Sequence, residues 1–127
     1  MFGFRRSNNT GVLAPTIKQV AANTAVTYAV GDALVLTSGK LAKAGATVAP
    51  EYISAQGGLG KDVLSVYQVE PNQEWETTLS TAGSLVVGAK YTLSDTSDSV
   101  TATSTSGVAE VVSVAGTTSG SAVVVRF

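Results

Sequence analysis

Glu74-Trp75-Glu76-Thr77-Thr78-Leu79 alternates without a break. Trp75, Thr77 and Leu79 fall on one face and Glu74, Glu76 and Thr78 on the other, the period of a strand with one buried side. Upstream, Leu64-Ser65-Val66-Tyr67-Gln68-Val69 is partly apolar on both faces, which predicts a strand covered on two sides. Downstream, Ala122-Val123-Val124-Val125-Arg126-Phe127 is rich in β-branched residues and predicts a final strand tied into a sheet. Serine and threonine make up roughly a quarter of the chain, and 13 glycines punctuate short apolar runs. The whole reads as all-β, a compact β-sandwich or small barrel of many strands and turns.

Helix finds little support. Ile17 to Ala29 places apolar residues at Ile17, Val20, Ala21 and Ala25, but Asn23-Thr24 interrupts the run. Ala25-Val26-Thr27-Tyr28 has strand chemistry. Pro50-Glu51 predicts one helical turn through Ser54, with proline in first place and an acid in the first turn. A weak internal duplication places the turns. Val30-Gly31-Asp32-Ala33-Leu34-Val35-Leu36 is echoed by Val87-Gly88-Ala89-Lys90-Tyr91-Thr92-Leu93. In each, a Val-Gly turn feeds a short strand, a polar turn and a return strand. The first returns through Leu41-Ala42-Lys43-Ala44 after Thr37-Ser38-Gly39-Lys40, and the second through Val100-Thr101-Ala102-Thr103 after Ser94 to Ser99. Two such hairpins suit a sandwich or small barrel.

Composition limits what the chain does. At 127 residues it is one domain, able to bury one modest core. Residues 17–127 are expected to form a single β-domain. Residues 1–16 lack the periodicity of a packed element and read either as a disordered leader or as an extended N-terminal arm, in which Phe2 and Phe4 anchor on a neighbour and Arg5 and Arg6 pair with carboxylates. Only 13% of residues are charged while 44% are hydrophobic. A soluble free surface needs about 25–35% charged residues, so part of this one is expected to be covered by another protein. The net charge of −1 offers no footprint for nucleic acid. The start lacks the apolar region of a signal peptide, and no run approaches the length of a membrane span, so neither export by that route nor a membrane partner is expected.

Catalytic chemistry is sparsely provided for. There is no histidine and no cysteine, so no serine has a histidine to activate it, and no Ser-x-x-Lys motif is present. Gly57-Gly58-Leu59-Gly60-Lys61 lacks the earlier glycine and the following hydroxyl of a phosphate-binding loop, since Ala55 and Asp62 hold those places. Asp95 and Asp98 miss calcium-loop spacing and read as turn aspartates. Glu70, Glu74 and Glu76 form the densest acidic group. Glu74 and Glu76 are expected on a solvated strand face, the functional alternative being a seat for an arginine-rich partner. Trp75 is expected in a core or an interface, and the tyrosines form no stacking platform. No enzymatic activity, metal or cofactor is expected.

Val30 to Gly45, with Pro50-Glu51-Tyr52-Ile53, resembles the small capsid decoration (cement) proteins of tailed bacteriophages. So does the run from Val87 to Ser94 through Gly107 and Val111-Val112-Ser113-Val114 to Phe127. The resemblance covers roughly residues 20–127. It implies a β-sandwich or β-tulip-like domain that forms homotrimers on the capsid exterior, bridging and stabilising major capsid protein subunits. A structural virion protein made in the host cytoplasm is therefore expected, with Phe2, Phe4, Arg5 and Arg6 as the capsid contacts. The alternatives are a tail or fibre module, and a small module that binds sugars or peptides.

Overall fold

The computed structural model describes residues 1–8 and 14–127. Among the described residues, ten strands account for the regular structure: β1 (Gly3–Ser7), β2 (Ile17–Ala21), β3 (Ala33–Thr37), β4 (Lys40–Lys43), β5 (Tyr52–Ser54), β6 (Val63–Gln68), β7 (Gln73–Thr78), β8 (Lys90–Tyr91), β9 (Ala109–Val114) and β10 (Ala122–Arg126). They form two 5-stranded sheets, one in the order β1-β7-β10-β9-β8 and the other in the order β2-β6-β5-β3-β4. Every strand pair is antiparallel. The class is therefore all-β, and the arrangement is that of a β-sandwich.

The sheets differ in how they are covered. Trp75, Leu79, Val111, Val123 and Val125 of the first sheet and its flanks meet Ala33 and Ile53 of the second, so this cluster joins the two layers. A second cluster, of Ala22, Tyr28, Leu34, Leu41, Leu64 and Val66, lies on the other face of the second sheet. Period-two geometry explains the split. Leu34 points one way, and Ala33 and Val35 the other; Leu64 and Val66 point one way, and Tyr67 and Val69 the other. The expectation of one modest core is thus corrected: a sheet apolar on both faces serves two clusters. An isolated bridge from Ala22 to Leu41 brings the ends of β2 and β4 together.

Both hairpins of the duplicated motif are present. Thr37 faces Lys40, leaving Ser38 and Gly39 as a two-residue loop with φ of 50° and 77°, the positive pair a type I′ turn requires. The second is a narrower ladder in which Thr92 donates to Thr103 and Ser94 to Ser99. The hairpins interlock, since Ala33 N–H donates to Ser97 C=O at 2.7 Å and Leu93 N–H to Ala46 C=O at 2.9 Å. The two Val-Gly turns also match. Asp32 N–H donates to Ala29 C=O and Ala89 N–H to Val86 C=O, with Gly31 and Gly88 at φ of 85° and 88°, the type II pattern.

Two local expectations are overturned. Pro50 to Ser54 is not helical: Tyr52–Ser54 is β5, between β3 and β6. Tyr52 and Ile53 pack into opposite clusters there, which only an extended backbone allows. Ala25 to Tyr28 is not a strand; the strand lies earlier, at Ile17–Ala21. Asn23 ends it, because its side-chain oxygen accepts the Ala25 N–H and its carbonyl accepts the Val26 N–H, closing a turn.

Candidate functional site: the N-terminal strand and its seat

The residues singled out at the N-terminus meet on one edge of the first sheet. Gly3 faces Glu76, Phe4 faces Trp75, Arg6 faces Glu74 and Ser7 faces Gln73, with a register irregularity at Arg5. An extra residue in an edge strand bends it and discourages further strands from adding. Residues 2–8 of the expected arm therefore lie against their own chain, where alternating aromatic and charged side chains find two complementary faces. The remainder of the arm, up to Leu13, falls outside the described residues.

Phe2 is buried, its ring 5.6 Å from that of Phe127 in an edge-to-face arrangement. Phe4 meets Trp75 in the same manner, also at 5.6 Å, and Tyr67 approaches Trp75 from the second sheet at 6.4 Å. Phe2 N–H donates to Gly31 C=O at 2.9 Å, and Asn8 N–H to Asn72 C=O at 2.8 Å, so the segment is held at both ends. Gly31 is required here. A Cβ at that position would stand 2.0 Å from Met1 Cγ and 2.8 Å from the Phe2 nitrogen.

The arginines divide their work. Arg5 pairs with Glu76 at 2.7 Å, both side chains being about half exposed. Arg6 Nε donates to Glu74 at 2.9 Å, with the Glu74 side chain 2% exposed and that of Arg6 64% exposed. Glu74 is thus corrected from a solvated position to a buried carboxylate lidded by a guanidinium. The Arg6 hydrogen bond holds the Glu74 carboxyl below its usual range against the opposing effect of burial, with help from Asn8. The same contact raises Arg6.

Beside this strand an open apolar groove of about 490 Å³ runs to the edge of the second sheet, lined by Met1, Phe4, Pro15, Ile17, Val30 and Tyr67. Met1, Ile17 and Val30 are exposed. Further round the molecule, Val86 and Val87 stand 63% and 61% exposed at the tip of the second Val-Gly turn. Ile17, Val30 and Val87 entered the sequence reading only as apolar or turn residues, and none of the exposed five was expected as a contact. The signal lay in the Val-Gly dipeptides themselves, because the residue before the glycine of a type II turn points outward.

The other candidates are accounted for locally. Gly57 to Lys61 leads into strand β6 rather than into the helix that a phosphate-binding loop needs. Asp98 accepts hydrogen bonds from the hydroxyls of Ser94, Thr96 and Ser99 at 2.9, 2.7 and 3.0 Å. Burial opposes its charge, yet these hydroxyls prevail and hold its carboxyl below the usual range. Among the described residues, no group of three or more histidine, cysteine, aspartate or glutamate side chains is placed to hold a metal ion. Trp75 and Tyr28 are buried, so neither offers a face to a sugar ring. Compared with protein-family models, with curated proteins and with solved structures, the chain has no match.

Proposed function

We propose that this chain is a non-enzymatic virion protein, a decoration protein that binds the outside of a tailed-phage head as a homotrimer and ties neighbouring major capsid protein subunits together. The observation that carries the reading is apolar surface left over after two clusters are filled. Ile17, Val30, Leu59, Val63, Val86 and Val87 all stand well exposed on a chain with few charges. Of these, Ile17 and Val30 lie with Met1 along one open groove, and contiguous exposed apolar surface marks protein contacts. What selects a phage head as the cover is the resemblance carried by residues 30–53 and 87–127. The bridge from Ala22 to Leu41 supports a tulip-like curling of the second sheet. Phe2 and Phe4 serve this function from inside, by fixing the strand, while the outward guanidinium faces of Arg5 and Arg6 are the capsid contacts. Because the protein binds the assembled shell in many copies, it stabilises that shell by mass action.

The test is the thermal release of DNA from heads of the phage that encodes the chain, prepared with and without it, together with antibody labelling of intact particles. Retention of DNA to higher temperature and label over the whole head surface are expected. Label confined to tails assigns the chain to the tail instead, and unchanged release removes the stabilising role.

A further inference from the structure

We propose that the edge of β7 is a strand-specific receptor, and that β1 of one copy of this chain fills it on a second copy, so that neighbouring copies are joined by exchanged strands. The inference stands independently of the capsid reading. It rests on how β1 is held. Among the described residues the strand pairs with β7 and with no other strand, and the next described strand, β2, is an edge strand of the other sheet, paired with β6. No ladder among the described residues ties β1 to β2, and the receptor's geometry is indifferent to which copy supplies the strand.

The receptor is demanding about what occupies it. Glu74 is a buried carboxylate whose cation comes from Arg6, and an unpaired buried charge is strongly unfavourable. The Phe2 ring fills a place against Phe127, and Gly31 C=O takes the Phe2 N–H. An occupant needs an aromatic residue, a second aromatic two places on, and an arginine two places beyond that. Within this chain, Phe2-Gly3-Phe4-Arg5-Arg6 supplies the pattern. Exchange between identical copies keeps every one of these contacts, which is why swapping of an element is a low-cost route to association. The balance between the closed and exchanged forms is then set by local concentration. A strand passing between copies would also bring a second surface over Met1, Ile17 and Val30, the exposed apolar residues beside the junction.

The absence of native cysteine makes the test direct. Gly3 and Glu76 face each other across β1 and β7, and a Cβ at Gly3 meets nothing nearer than 4.0 Å. Facing residues of an antiparallel pair lie at a separation a disulfide can span. Full-length Gly3→Cys and Glu76→Cys chains are mixed, co-refolded and mildly oxidised, and linked peptides are identified by mass spectrometry. Exchange predicts a heterodimer joined between positions 3 and 76, at least about tenfold above the yield of Gly3→Cys with Lys40→Cys, a remote exposed partner. No excess over that control, while the Gly3→Cys/Glu76→Cys double variant closes its bond within one chain, overturns the proposal. A second readout uses the charges. Mixed Arg6→Glu and Glu74→Arg chains should regain, on co-refolding, the melting temperature of the double variant; a mixture that melts as its two components contradicts exchange.

Discussion

Replacing Phe2 by alanine asks whether the N-terminal strand is part of the fold or an appendage to it. The side chain is 2% exposed, packs edge-to-face on Phe127 and belongs to the cluster that joins the two sheets. Truncating a buried phenylalanine costs about 3–5 kcal/mol, less where the surroundings can close over the gap. Phe2 lies next to an open groove, so the loss is expected near the lower end, about 3 kcal/mol. For a domain of this size each kcal/mol moves the melting temperature by roughly 3–5 °C, which gives a fall of about 9–15 °C. Circular dichroism melts of the variant and the parent chain at equal concentration measure it. A shift under about 2 °C would refute the reasoning, because a ring that merely rested on a neighbour or in solvent would cost the isolated chain almost nothing.

Glu74→Gln should flatten the acid limb of the stability curve. The folded-state carboxyl is held below its ordinary value, so the pairing stabilises fully above that value and is lost as pH falls through the depressed one; denaturant titrations between pH 3 and 7 should show the parent losing more than the variant. Gly31→Ala should destabilise more than Gly39→Ala in parallel thermal melts. Both positions have positive φ, but the new Cβ strikes Met1 and Phe2 only at Gly31, adding a clash to a backbone penalty of roughly 1–2 kcal/mol. Tyr28→Phe should lose about 1–3 kcal/mol by urea unfolding, since the buried hydroxyl donates to Leu41 C=O at 2.8 Å and accepts the Asn23 N–H at 2.9 Å.

Where the sequence was legible, one strand's own pattern decided its fate. Trp75, Thr77 and Leu79 are buried as their alternation requires, and the two-faced apolar run at Leu64–Val69 sits between two clusters. The turn at Ser38-Gly39 and both Val-Gly turns were readable because positive φ has few residue solutions. What was not legible depended on distant partners. Glu74 looks solvated until Arg6, 68 positions away, closes over it. Tyr52 and Ile53 look like the continuation of a proline-initiated turn until β3 and β6 bracket them. The aromatic and basic residues at the N-terminus were expected to dock on a neighbour, whereas the seat they take on this chain is defined by β7 and could be found only from the fold.

The claim that this chain ends its life sheathed by sister copies on a shell is tested most directly by co-sedimentation with purified phage heads, with bound copies counted by quantitative mass spectrometry. Saturation at a plateau matching trimers on the three-fold and quasi-three-fold positions is the predicted result. Chains that stay in the supernatant at every concentration would contradict it.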